Sequence, residues 1–251
     1  MSINFIFHLR RRHKGLKTKA MKQTPFIIAL DGPAASGKGT LGRAIADQLD
    51  LAYMDTGALY RCVALELHKN GESDSDEQAV LKATDWLLEN FTPDLLKNED
   101  LRSDEIGQMA ARASLFPSMR EKLLHLQRDF AAHPARYSAK NPLAGALLDG
   151  RDIGTVVCPQ ADIKLFVDAD VEQRAERRLK ELQSRGIQVT YSAVLDEMKA
   201  RDHRDRSRPV APLKPATDAI EIDTTHLGPD AALQEALELI SKALGEDALQ
   251  N

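Results

Sequence analysis

A short apolar run, Phe26-Ile-Ile-Ala-Leu30, leads into Gly32-Pro-Ala-Ala-Ser-Gly-Lys38-Gly-Thr40 and then into a segment with Leu41, Ile45 and Leu49 at helical spacing. A continuous apolar run of this length suits a strand buried on both faces. A glycine-rich turn between such a strand and a helix brings successive backbone N–H groups around an anion, and the helix N-terminus adds its positive pole. Lys38 supplies the charge that neutralises phosphate oxygens, and the glycines let the backbone come close. This one stretch therefore restricts the chain to an α/β fold with a phosphate site at the end of its first strand.

The remaining sequence repeats the alternation. Leu51–Met54, Ala144–Leu148, Ile163–Val167 and Ala219–Asp223 read as further strands. Leu41–Leu49, Ala58–His68, a segment ending near Asn90, Met119–Ala132, Val171–Arg185, Tyr191–Arg208 and Pro229–Leu244 read as helices. In the helix ending near Asn90, Val80, Ala83, Trp86 and Leu87 are expected to form one face. Gly71–Gln78 is a polar break, and Phe91–Ser103, with Pro93 and several charges, is a loop or small irregular insert. Strands alternating with helices predict a three-layer α/β sandwich with a central parallel sheet. The expected organisation is a single domain over residues 25–251, with an insert region near 71–118 and an arginine-rich lid near 186–213.

Charge and composition narrow the partners. Residues 1–22 hold seven Lys/Arg and no acid, so the net charge of -4 leaves -11 on the rest. That acidic body argues against polyanion binding outside the tail, and an aromatic content of 5% argues against stacking platforms for nucleic acid. No apolar run approaches the roughly 18 residues of a membrane span. Cys62 and Cys158 are not in a C-x-x-C motif and are expected as free thiols in a reducing, cytoplasmic setting. The scattered histidines offer no transition-metal spacing. Residues 1–24 are expected outside the fold, as a disordered basic tail or as sequence preceding a start at Met21, although an Arg-rich, acid-free segment also resembles a transit peptide. No stretch demands a partner chain, so a monomer is expected.

A phosphate loop usually carries Ser or Thr directly after its lysine, where the hydroxyl ligates Mg²⁺. Here that position is Gly39, and Thr40 follows one residue later. The G-K-G-T order resembles the nucleoside monophosphate kinases. An acceptor phosphate monoester needs no strong base, because its second pKa is about 6. It needs arginines to neutralise two converging anions. Three blocks supply them. Asp55-Thr-Gly-Ala-Leu-Tyr60-Arg61 follows the second strand, and Asp149-Gly-Arg151-Asp152 follows the third. Arg201-Asp-His-Arg-Asp205-Arg-Ser-Arg208 sets Arg201, Asp205 and Arg208 at i, i+4 and i+7 of a helix. The last run reads either as a solvated face or, beside a phosphate loop, as a mobile lid. Arg174, Arg177 and Arg178 read as a surface helix or lid support.

Together with F-P-x-x-R around Arg120 and D-G-R-D-I-G-T-V-V from Asp149, these blocks resemble the bacterial cytidylate kinases from about Phe26 to Leu244. The resemblance implies phosphoryl transfer from ATP, with Mg²⁺, to CMP or dCMP; another acceptor, such as UMP or a small metabolite, is the alternative. It implies ATP binding by Gly32, Pro33, Ala34, Ala35, Ser36, Gly37, Lys38, Gly39 and Thr40. It puts Asp55, Thr56, Tyr60, Arg61 and Arg151 at the acceptor, Arg120 and Asp152 at the cytosine, and Arg201, Asp205 and Arg208 over sugar and phosphate. Lys38, Arg61, Arg151, Arg201 and Arg208 are the expected catalytic residues, and no side chain is expected to bind metal directly. Two departures stand out: Ala111 replaces the family's serine near the base, and the insert is shorter than the β-rich one of long-type members.

Overall fold

The computed structural model of the chain describes residues 25–138 and 145–244. The expectations for residues 1–24, and for a strand beginning at Ala144, lie outside the described residues. The strands are β1 (Phe26–Asp31), β2 (Leu51–Asp55), β3 (Gly145–Gly150), β4 (Ile163–Asp168) and β5 (Ile220–Asp223). The α-helices are α1 (Lys38–Gln48), α2 (Thr56–Asn70), α3 (Glu77–Asn90), α4 (Asp104–Ala113), α5 (Pro117–Ala132), α6 (Val171–Ser184), α7 (Tyr191–Ser207) and α8 (Pro229–Ala243). The chain divides into two compact units, Met1–Tyr53 with Ala144–Asn251, and Met54–Leu143, the boundary falling inside β2.

The first unit holds the sheet, in the order β2-β3-β1-β4-β5. Its β1–β3, β1–β4 and β4–β5 pairs are parallel, with Asp31 level with Gly150 and Phe166. Burial explains the uninterrupted apolar strands: Ile28, Ala29 and Leu30 of β1 are inaccessible to solvent, as are Ala146, Leu147 and Leu148 of β3. On one face, Leu41 and Ile45 of α1 and Ala236 and Ile240 of α8 pack with Ile28, Leu147, Leu165 and Ile222. Each of these leucines and isoleucines contributes about 1.5–3 kcal/mol by leaving water. The architecture is the α/β sandwich expected from the alternation. Because the chain leaves β1 for β2 at one edge and later fills β4 and β5 on the other side, the strand order reverses around β1. Ligands of open α/β sheets bind beyond the carboxyl ends of the strands at such a point.

After the last two residues of β2, the second unit is helical, with turns and loops between its helices, in its described residues. Each helix start has a physical signal: Asp76 accepts from Gln78 and Ala79 N–H at α3, Ser103 from Ile106 N–H at α4, and Pro117 opens α5. Phe91–Ser103, expected as a loop or small irregular insert, contains two 3₁₀ turns, Pro93–Lys97 and Glu99–Arg102. Two details differ from expectation. Helix α4 was not among the expected elements, although Ile106, Met109, Ala110 and Ala113 sit at i, i+3, i+4 and i+7 and are buried. Trp86 lies off the buried stripe and is 37% exposed, whereas Thr84 is inaccessible and donates to the Val80 carbonyl at 2.7 Å. A 3.6-residue period joins 80, 83, 84 and 87 and carries 86 to another side.

Candidate active site

The phosphate loop is built from close approach and held carbonyls. Gly32 has φ 153°, and a Cβ there would stand 2.0 Å from the Val167 carbonyl oxygen of β4. Gly37 takes φ 85° at the start of α1, and Ala35 is held at φ 58°, a left-handed conformation costing on the order of 1–2 kcal/mol for a residue with a Cβ. Ser36 Oγ and Lys38 Nζ each donate to the Pro33 carbonyl at 3.1 Å. Arg174 donates to Ala34 O at 3.2 Å, and Thr224 Oγ1 to Ser36 O at 2.8 Å. In a trans peptide the C=O and the following N–H point in opposite directions. Anchoring these three carbonyls therefore turns the N–H groups of Ala34, Ala35 and Gly37 away from their partners, as an anion cradle requires.

Acids line the carboxyl ends of the neighbouring strands. Asp149, at the end of β3 and 4% exposed, lies 3.9 Å from Lys38 Nζ and accepts from Tyr53 Oη at 3.0 Å. Sequence reading assigned Asp149 no role; its signal was a strand-terminal acid, legible only once β3 is known to neighbour β1. Asp31, ending β1, accepts from the N–H groups of Ile153 and Gly154 at 2.8 and 2.7 Å. Burial pushes its pKa up to about 6; those N–H groups oppose the rise, and the charges of Asp152 and Asp149 add to it. Asp31 thereby fastens the Asp149–Val157 segment, whose Ile153–Val157 portion forms a wide π-helical turn.

That segment carries Arg151 and Asp152 to the arginines of α7. Arg151 Nε donates to Asp205 Oδ2 at 3.0 Å, and Arg208 Nη2 lies 3.6 Å from Asp152 Oδ1. Burial would raise the pKa of Asp205, but Arg151, Arg201 and Arg208 outweigh it and hold the carboxyl below its ordinary value. Arg151, Asp152, Arg201, Asp205 and Arg208 thus form one cluster of three cations and two anions. The helical spacing inferred for Arg208 is corrected: α7 ends at Ser207, and Arg208 is an extended cap residue at φ -60°, ψ 138° whose side chain turns to the Ala211 carbonyl. Of the two readings given to Arg174, surface helix or lid support, the surface one is corrected, as the residue is 2% exposed and pairs with Asp202 of α7.

In the second unit, Asp55 caps α2, accepting from Ala58 N–H at 3.2 Å, and Thr56 is buried. Arg61 Nη1 donates to Leu101 O at 2.6 Å, clamping the 3₁₀ turn against α2. Arg120 stacks over the Tyr60 ring, 5.5 Å from its centroid. Ser114 donates to the Ala111 carbonyl at 2.8 Å, so its donor closes the end of α4. Burial pushes the Cys62 thiol up to about 12, which removes it as a nucleophile. Among the described residues no group of three or more His, Cys, Asp or Glu is arranged to hold a metal ion, and no helix is long and apolar enough to cross a membrane.

A parallel α/β sheet with a phosphate loop after its central strand, and arginines gathered beside it, defines a kinase of the P-loop class. The model of the cytidylate kinase family matches residues 28–242. Curated cytidylate kinases are similar over nearly their whole length. The Paramagnetospirillum magneticum protein is 50% identical, covering 85% of this chain and 97% of its own. The Rhodospirillum rubrum protein is 48% identical over 86% and 97%, and the Granulibacter bethesdensis protein 46% over 86% and 97%. The chain belongs to the cytidylate kinase family.

Proposed function

We propose that the chain transfers the γ-phosphoryl group of ATP to CMP and dCMP, yielding ADP with CDP or dCDP. The observation that carries this is the joint presence, in the first unit, of an anchored phosphate loop and a separate cluster of three arginines. One anion site would suit a nucleotide switch, whereas two suit transfer between two phosphates. The bond between the β,γ-bridging oxygen and the γ-phosphorus breaks, and an acceptor phosphate oxygen bonds to that phosphorus. The acceptor is already mostly ionised at neutral pH, so no general base is needed. The catalytic work is alignment and charge neutralisation.

In this reading Gly32–Thr40 bind the donor phosphates, and Lys38 neutralises charge that grows on the β,γ-bridge. Its Nζ, close to both Pro33 O and Asp149, is held ready without a flexible search. Mg²⁺ would be held largely through the donor phosphates and water, beside Thr40 in the first turn of α1 and Asp149 near the same turn, since a Cβ on Gly39 would lie 3.4 Å from Asp149 Oδ2. The ion, when bound, supplies further neutralisation of phosphate charge. Arg151, Arg201 and Arg208 pair with the acceptor and transferring phosphates, exchanging some of their present contacts to Asp205 and Asp152 for phosphate oxygens. Thr56, Tyr60 and Arg61 are proposed for the acceptor phosphate. Arg120 and Asp152 are proposed for the cytosine edge, where a carboxylate accepts from the amino group and would repel the carbonyl of uracil. Asp55 supports that group as the cap of α2. The two thiols without disulfides support a reducing, cytoplasmic setting, and the enzyme is expected to act as a monomer.

A coupled assay with CMP, dCMP, UMP and AMP tests the reading. CMP and dCMP should give kcat/KM at least tenfold above UMP and AMP. A faster rate with UMP or AMP would show the base assignment to Arg120 and Asp152 to be wrong.

A further inference from the structure

One buried guanidinium lies outside both anion sites and touches the scaffold of each. Arg174, in the first turn of α6, donates through Nε to Ala169 O at 2.8 Å and through Nη1 to Ala34 O, inside the phosphate loop, at 3.2 Å. Its Nη1 and Nη2 also hold both oxygens of Asp202, at 3.0 and 2.5 Å. Asp202 is 6% exposed and sits on α7 directly after Arg201 and three residues before Asp205. Ala34, Ala175, Leu182, Val194 and Met198 close an apolar cluster around the contact. A second link runs parallel: Arg177 donates to the carbonyls of Thr224 and Thr225, and Thr224 holds Ser36 O. One loop carbonyl, Ala34 O, is therefore held directly from α6 by the group that also holds α7, and a second, Ser36 O, is held by Thr224, which α6 braces through Arg177.

A buried ion pair is a poor device for stability, because well-packed apolar residues of similar volume do as well or better. Its distinctive property is direction: a planar fork with both carboxylate oxygens engaged fixes angle as well as distance. Here the same plane must satisfy Ala34 O and Asp202 together. A change in the path of the loop at Ala34 must therefore shift the guanidinium, and with it the turn of α7 bearing Arg201 and Asp205. The surrounding packing leaves little slack to absorb the movement.

We propose that Arg174 is a positioning residue that couples the conformation of the phosphate loop to the placement of the α7 arginines. Donor binding at Gly32–Thr40 and the setting of Arg201, Asp205 and Arg208 are then one event. This rests on the kinase reading above, but not on which monophosphate is the acceptor.

The test is the double variant Arg174→Met/Asp202→Leu in the full chain, with Arg174→Lys and the α6 control Glu181→Gln. For each, thermal midpoint, kcat, both KM values and the Kd of ATP alone are measured. The double variant, which takes the Arg174 donor from Ala169 O and Ala34 O, should lower the thermal midpoint but remain folded at the assay temperature. Its kcat should fall at least tenfold and its Kd for ATP rise at least threefold, whereas Glu181→Gln changes neither. Arg174→Lys, which keeps the charge without the fork, should recover less than half of the lost rate. A double variant with wild-type kcat, KM and Kd would overturn the proposal and leave the pair a structural contact. If the double variant does not fold, Asp202→Asn, which keeps shape and removes charge, is judged by the same kcat and Kd criteria. The ATP titration needs no acceptor: a wild type that binds ATP but phosphorylates no monophosphate would refute the proposed reaction while still deciding the coupling.

Discussion

At the scale of single residues, Asp31 shows how a site charge trades stability for position. Its carboxylate is buried, yet it is the acceptor for two consecutive N–H groups that set the segment carrying Arg151 and Asp152. Its folded pKa of about 6 lies above the ordinary 3.8, so between those values the folded chain binds more protons than the unfolded one. Its favourable contribution is complete below pH 3.8, falls as pH rises through 6, and above that remains a constant penalty. At 1.36 kcal/mol per pKa unit, the displacement corresponds to about 3 kcal/mol. Denaturant unfolding of wild type and Asp31→Asn between pH 4 and 8 should show wild type losing about that much relative to the variant by pH 7, with no further change above. A pH-independent difference would mean that Asp31 titrates normally. Ser114 shows the opposite economy: a hydroxyl that could have replaced the one missing at Ala111 donates to the backbone instead.

At the scale of elements, the phosphate loop depends on the strand beside it. Gly32→Ala would force a Cβ to 2.0 Å from Val167 O, a contact that only displacement of the loop or of β4 can relieve. Overpacking of this kind costs typically 1–3 kcal/mol. We expect a clear fall in thermal midpoint together with near-complete loss of ATP binding, read by calorimetry and nucleotide titration. Retention of wild-type affinity would show that the loop can adopt another path. Helix α7 shows what an element contributes beyond its sequence pattern. The Arg/Asp run suggested a single helical face, but α7 stops at Ser207, so Arg201 and Asp205 project from helix while Arg208 is set by an extended cap. The cluster forms because Arg151 and Asp152 come to it from the carboxyl end of β3. Spacing within one helix could not have disclosed that meeting.

At the scale of the whole molecule, the first twenty-two residues hold seven basic side chains and no acid, so the rest of the chain carries the acidic balance. Deleting residues 1–24 should leave kcat and both KM values unchanged and strengthen retention on an anion exchanger at pH 7. A lower kcat would give the tail a role in catalysis. By itself the sequence determined the alternation of strands and helices, the phosphate loop and the residue types of the acceptor blocks. Those depend on local periodicity, on glycine where backbone must approach backbone, and on short motifs. Tertiary structure decided what depends on neighbours distant in the chain. Asp149 gained its place beside Lys38 because β3 pairs with β1. Arg174 became a buried brace because α6, α7 and the loop at Ala34 surround it. A charged residue's role follows from what excludes water around it and which partners it then must satisfy, and neither is written in its own stretch of sequence.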